Sequence, residues 1–299
     1  PLLSAGNWGG PGLHLRGNIE GYLAAGSKRK WLSLHVGTHW DSFYLPEYVA
    51  MQKRFFSHTL KGEDNGWDKE PPVLMQVRRP DGSKARAEQE FPLARTQWTK
   101  FYLDAANKSL GSSNPAAESQ ASYEAMGTGV DFSTKPFEQE TEFCGFVTAR
   151  LWVSSSTTDM DIFASLRVFD SKGKEVTFIG AHEQTVMAKG WLRASHRKVD
   201  AIRTLPYRVF HTHDEIQKIK PGEIYPVDVE IWPTSMVFPK GYRLVLTLQG
   251  RDFEIPGVPG RMLHNHPEDR NPVEFGGVST ISTGAVHESY LLIPVIPER

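Results

Sequence analysis

Near residue 66 the hydrophobic pattern of this chain changes period, and that change limits the fold more than any other feature. Before it, apolar residues alternate between compact runs and helical spacing. Leu2 to Ala5 is a short apolar strand that ends in Gly6-Asn7-Trp8-Gly9-Gly10-Pro11-Gly12. Leu15 to Ala25 reads as a helix, with Ile19, Tyr22 and Leu23 at helical spacing and Gly26 as a stop. Lys30 to Val36 is a second strand, followed by the loop Gly37-Thr38-His39-Trp40. Glu47 to Leu60 is a second helix with Gly62 beyond its end. Strand, helix, strand, helix is the order of a parallel α/β sheet. Two helices cannot cover both faces of such a sheet, so this unit is expected to be incomplete by itself.

From about Pro71 the pattern is β. Strands are predicted at Val73 to Arg78, Lys100 to Leu103, Glu142 to Val153, Ile162 to Phe169, Pro226 to Trp232, Arg243 to Leu248 and Tyr290 to Val295. Asp81-Gly82, Ser171-Lys172-Gly173, Pro221-Gly222 and Lys240-Gly241 punctuate them. Ala105 to Gly129, rich in Ser, Ala, Gly and Asn, reads as a long loop. Many short strands with few helices point to a β-sandwich of jelly-roll type. The fold class expected is therefore α/β plus all-β, divided into residues 1–66 and 67–299.

Charge narrows the partners. There are 34 basic and 35 acidic side chains, a formal net charge of −1, so no single-sign field steers the chain to nucleic acid or an anionic membrane. No apolar run reaches the 18 to 20 or so residues of a membrane span, and no signal peptide is visible. The chain starts at Pro1 inside an apolar stretch, which reads as a strand already under way and as a piece or processed product of something longer. The single cysteine, Cys144, rules out an intrachain disulfide and slightly favours a cytoplasmic setting. Between Phe143 and Phe146 it reads as a buried small hydrophobe.

The search for chemistry begins with a nucleophile. No Gly-x-Ser-x-Gly elbow occurs; Ser279 in Gly277-Val278-Ser279-Thr280-Ile281 lacks the second glycine. Cys144 has no local feature that would lower its pKa. Two histidine pairs, His211/His213 and His264/His266, have i, i+2 spacing that can offer two ligands on one strand face, although loop histidines fit the pattern as well. Asp159 and Asp161 could approach calcium but lack a loop with enough oxygens; capping or ion pairing is the simpler reading. The tryptophans Trp98, Trp152, Trp191 and Trp232 read as core or interface packing before they read as a sugar platform. The position that stands out is His39, at the carboxyl end of a short strand, where α/β sheets gather catalytic groups. A histidine there can act as a general base.

The runs Pro1-Leu2-Leu3-Ser4-Ala5-Gly6-Asn7-Trp8-Gly9-Gly10, Leu15-Arg16-Gly17-Asn18, Lys30-Trp31-Leu32 and Gly37-Thr38-His39-Trp40 resemble the last core strands of the cocaine-esterase-like and X-Pro dipeptidyl-peptidase-like (CocE/NonD) hydrolases. The likeness continues through Gln52-Lys53-Arg54-Phe55-Phe56, Leu60-Lys61-Gly62-Glu63-Asp64-Asn65-Gly66, Lys189-Gly190-Trp191-Leu192-Arg193-Ala194-Ser195-His196-Arg197, Pro221-Gly222-Glu223, Pro233-Thr234 and Lys240-Gly241-Tyr242-Arg243-Leu244. The resemblance implies the end of an α/β-hydrolase core followed by a jelly roll, a Ser-His-Asp triad with His39 as its histidine, and a nucleophilic serine upstream of Pro1. Where family members carry Trp-Tyr-Asp, this chain has Trp8-Gly9-Gly10, so the triad acid is open: an upstream strand end, Asp41 or Glu20, or a degenerate site. The partners implied are a small ester or peptide substrate and the missing N-terminal hydrolase half, with a homo-oligomer as an open alternative. No cofactor and no metal are implied. The competing readings are a β-sandwich module that binds a glycan or a protein, and an inactive relative.

Overall fold

The computed structural model describes residues 1–181, 183–258, 263–264 and 270–298. A small sheet comes first. Strand β1 (Leu2–Asn7) leads through helix α1 (Leu15–Ala24) to β2 (Lys30–His35). Helices α2 (Asp41–Tyr44) and α3 (Pro46–Lys61) precede β3 (Val73–Arg79) and β4 (Gly82–Glu88). The sheet order is β1-β2-β3-β4; the first three strands are parallel and β4 turns back antiparallel. The expected strand–helix–strand–helix order is present. A division after residue 66 would separate β2 from its neighbour β3, and from β4 beyond it in the same sheet.

The remaining strands are β5 (Gln97–Asp104), β6 (Ser109–Gly111), β7 (Ser119–Glu124), β8 (Val130–Thr134), β9 (Thr141–Ser155), β10 (Asp161–Phe169), β11 (Glu175–Val176), β12 (Phe178–Ile179), β13 (Gln184–Thr185), β14 (Ala188–Arg193), β15 (Tyr225–Phe238), β16 (Arg243–Gln249), β17 (Val278–Thr283) and β18 (Tyr290–Ile296). The large sheet runs β15-β14-β10-β16-β8-β6-β5-β18-β9 and closes because β15 also pairs with β9. This is a barrel-like ring of nine strands, with β17 and β7 as an extension from β9. The stretch 105–129 is not one loop, because it contains β6 and β7. Polar Ser and Gln residues alternate there with buried Ala121 and Tyr123, a period-two signal that the high Ser, Ala and Gly content hides.

Alternation explains the long strands. On β9, Phe143, Val147, Ala149, Leu151 and Val153 point into the barrel core. Cys144 and Phe146 point the other way, into a second cluster with Trp8, Leu15, Ile19, Leu32, Leu34, Met75 and Val77. On β15, Val227, Val229 and Ile231 face inward, and beyond the irregularity between Ile231 and Thr234 the inward set becomes Met236 and Phe238. One extra residue flips the face of a strand, and Pro233 sits where the ladder is broken.

The second cluster is the junction between the two parts: α1 and one face of the small sheet pack on the outside of β9 and β15. Arg78 of β3 crosses this junction. Its Nε donates to Ser235 O at 2.8 Å, and Nη2 donates to Met187 O at 2.8 Å and Thr234 Oγ1 at 2.6 Å. On the opposite face, Phe55 of α3 packs against Trp31 and Trp67. Trp40, Phe43, Tyr44, Phe56 and Leu60 stay exposed on α2, α3 and their approach. Among the described residues no helix is long and apolar enough to cross a membrane.

Candidate active site

The parallel strands β1 and β2 end side by side, with Asn7 opposite His35. Asn7 ties the two ends together. Its Nδ2 donates to Gly37 O at 2.8 Å and Thr38 O at 3.2 Å, and its Oδ1 accepts from Gly9 N at 2.6 Å. Gly37 has φ +97°, a backbone that glycine adopts freely and that turns the chain away from β2. His39 follows on this turn, half-buried, with its amide donating to Ala181 O at 3.0 Å. The His39 ring centre is 5.0 Å from that of His14 and 5.1 Å from that of Trp40.

Beneath it His35 is 8% exposed, with its ring 5.5 Å from Tyr48. Burial, helped by the nearby His39, lowers the His35 pKa from 6.5 to about 4, so this ring is neutral near pH 7. Burial raises the Tyr48 pKa. Asn7, His14, His35, His39, Tyr48 and Phe55 are among the walls of a cavity of about 350 Å³ at the carboxyl ends of the strands. A half-buried imidazole on such a cavity can take a proton from a hydroxyl and return it to a leaving group.

Three contributors escaped the sequence reading: Asn7, His14 and His35. In sequence Asn7 is one residue of the glycine-rich run after β1, and His35 is the end of a strand. The signal was the parallel register, which pairs the polar last residues of β1 and β2.

The candidate acids are placed as follows. Glu20 faces the barrel, with its carboxylate 3.5 Å from Arg208 Nε. Asp41 is exposed at the start of α2, its amide 3.2 Å from Thr38 Oγ1. Among the described residues the cavity wall includes no carboxylate. At Gly10, where the resembled Trp-Tyr-Asp run would place its acid, an added Cβ would lie 3.4 Å from Asn7 O, an ordinary contact, whereas at the neighbouring Gly9 it would lie 2.0 Å from Ile179 O. The segment around β12 fills the space that a side chain at Gly9 would need and leaves Gly10 clear.

The other candidates are dispersed. His211 Nε2 donates to Asp228 O at 2.9 Å, whereas His213 Nδ1 is 3.1 Å from His196 Nδ1. Among the described residues, no three His, Cys, Asp or Glu side chains converge as a metal site. His264 bonds Asp252 at 3.2 Å, and His266 lies outside the described residues. Asp159 accepts from Met160 N and Ser195 N and pairs with Lys218; Asp161 pairs with Arg193. Cys144 is buried, and burial pushes its thiol up to about 12. Trp98 stacks on Tyr207 at 4.1 Å and Trp152 abuts His287, while Trp191 lies against both Trp232 and His264.

A family model described as the X-Pro dipeptidyl-peptidase C-terminal non-catalytic domain matches residues 65–292. The chain belongs to that family. The X-Pro dipeptidyl-peptidase C-terminal span covers the barrel and its approach; the loop of His39 lies before it. Cocaine esterase of Rhodococcus sp. is 26% identical over 297 residues, covering 85% of this chain and 47% of its own length. A crystal structure of a CocE/NonD family hydrolase from Staphylococcus aureus superposes with a TM-score of 0.90 at 32% identity, covering 99% of this chain and 54% of that one. An α-amino acid ester hydrolase shares the fold at 13% identity, with a TM-score of 0.70 over 98% of this chain and 55% of that one. The chain thus spans about half the length of these relatives.

Proposed function

We propose that this chain is the C-terminal part of a serine hydrolase that cleaves ester or amide bonds, X-Pro dipeptidyl bonds among them. In this reading residues 1–66, whose sheet continues into β3 and β4, complete an α/β-hydrolase core supplied by an N-terminal half, and residues 67–299 supply an accessory β domain of jelly-roll type. The serine comes from upstream of Pro1. Its hydroxyl attacks the substrate carbonyl while His39 Nε2 or Nδ1 accepts the proton; the same imidazole then protonates the departing alcohol or amine. Water repeats the sequence on the acyl-enzyme. His35, neutral near pH 7, adds no positive charge beside His39 and so does not oppose formation of its cation.

The observation that carries this reading is the placement of His39: on the loop after a parallel strand, at the wall of a 350 Å³ cavity large enough for a small acyl group. The named activities of the relatives support it. The exposed aromatic residues Trp40, Phe43 and Tyr44 beside the site suit contact with the missing half.

The test joins this chain to its N-terminal half, by co-expression or as the full-length protein, and supplies p-nitrophenyl esters and X-Pro p-nitroanilides. Hydrolysis by the joined protein, and not by either half alone, is expected. A joined, folded protein inert to both substrate classes and to a serine-directed fluorophosphonate would overturn the proposal. The preferred substrate class decides between esterase and peptidase.

A further inference from the structure

Helix α1 separates two cavities. Leu15 and Asn18 face the cavity of His39, while Arg16 faces a second one, of about 690 Å³, against the barrel. Trp191 of β14 and Trp232 of β15 form part of its wall, with ring centres 5.4 Å apart. Phe163 continues the aromatic surface, 6.4 Å from Trp191.

Positive charge exceeds negative charge in this wall: four arginines, Arg16, Arg193, Arg203 and Arg270, stand against Asp161 and Glu230. Arg193 and Arg270 share Asp161, at 2.8 and 3.4 Å. The other two arginines have donors to spare. Arg16 holds both carboxylate oxygens of Glu230 through Nε alone, at 2.9 and 2.8 Å. Its two terminal amino groups have no hydrogen-bond acceptor among the described residues. Arg203 forms no ion pair among the described residues, and its guanidinium carbon lies 4.1 Å from the centre of the Phe210 ring. Arg16 approaches the same ring at 5.5 Å and Arg208 at 5.2 Å. Three guanidinium groups therefore crowd one phenyl ring, with Glu230 and Glu20 as their carboxylate partners. A guanidinium fork matches the geometry of a carboxylate, and a concave wall strengthens the attraction by excluding water. Paired indoles offer an apolar surface to a flat ring.

We propose that this cavity binds a small organic carboxylate with a planar ring, its carboxylate held by Arg16 and Arg203 and its ring laid against Trp191 and Trp232. The site stands apart from His39, and its occupancy is independent of whether the protein hydrolyses esters.

Calorimetric titration of the full-length protein with 2-naphthoate, its neutral amide 2-naphthamide and inorganic phosphate tests it. The expected result is saturable 2-naphthoate binding, with the amide and phosphate each about tenfold weaker or more. Arg203→Ala removes an exposed side chain and is expected to weaken 2-naphthoate about tenfold without altering the melting temperature. Trp232→Leu is expected to weaken 2-naphthoate and leave phosphate unaffected. Equal affinity for acid and amide, unchanged affinity in Arg203→Ala, phosphate binding as tight as that of 2-naphthoate, or no saturable binding of 2-naphthoate would each overturn the proposal.

Discussion

The amide of His39 donates to the carbonyl of Ala181 at 3.0 Å, so the loop carrying the candidate base is fastened to the barrel. Two residues earlier in the same segment, Ile179 closes over Gly9. The segment around β12 therefore touches the chain beyond both strand ends, at Gly9 after β1 and at His39 after β2. This contact gives the accessory domain a physical route to the site: it fixes where His39 sits and prevents a side chain from growing at Gly9.

Gly9→Ala tests the close approach. A Cβ 2.0 Å from a backbone oxygen cannot be absorbed by a rotamer change, so β1 or the 178–180 segment must move. A loss of about 1–3 kcal/mol is expected in urea unfolding, together with slower ester hydrolysis. Gly9→Asp is expected to be destabilised as well. A Gly9→Ala protein of native stability would show that the segment yields.

His35 makes stability depend on pH in a defined direction. In the unfolded chain it takes up a proton as pH falls through about 6.5, and in the folded protein only near 4. Between those values acid protonates the unfolded state alone, so folding loses stability as pH falls and gains none from this group above pH 6.5. The total is roughly 3 kcal/mol. In urea titrations at pH 7.5 and 4.5, His35→Gln is expected to lose less stability on acidification than the parent. Equal losses would contradict the burial assigned to this ring.

Arg78 fastens the small sheet to the barrel through three acceptors on two segments. Arg78→Ala takes the guanidinium donor away from Ser235 O and Thr234 Oγ1 and leaves Met187 O only the Thr234 hydroxyl, at 3.2 Å, in a buried junction, and is expected to cost about 2–5 kcal/mol. The melting temperature measures it. Arg79→Ala, next in sequence and paired with the exposed Glu140, is the control expected to change stability by less than about 1 kcal/mol.

Cys144 is expected to be unreactive toward a thiol reagent at neutral pH until the protein unfolds. It is buried, and burial pushes its thiol up to about 12. Stoichiometric reaction of the native protein would show that the junction between sheet and barrel opens.

Periodicity carried most of the fold. Strands β9, β10, β15 and β16 announce themselves because each buries one face or both against a large core; helix α3 is legible from its apolar spacing, although it buries Phe55 against a small cluster and leaves Phe56 and Leu60 exposed. Strands β6 and β7 were hidden by Ser- and Gly-rich composition, and β4, Gly82–Glu88, by its mostly polar, exposed residues. Closure of the sheet rests on one long-range pairing, β9 with β15, which no local pattern encodes. His39 could be read from its place after β2. Asn7 and His35 could not, because their roles arise from the register between two strands separated by a helix. The excess of arginine around Phe210 was equally invisible: Arg16, Arg203 and Arg208 come from two distant stretches of chain.

The most direct test of the central claim is the turnover number of the full-length protein on a p-nitrophenyl ester, with and without the imidazole of His39. His39→Ala is expected to keep the parent's circular dichroism and melting temperature and to lose kcat by about a thousandfold or more, with KM little changed. A folded His39→Ala protein that turns the ester over within about a factor of two of the parent's rate would contradict the assignment of His39 as the base.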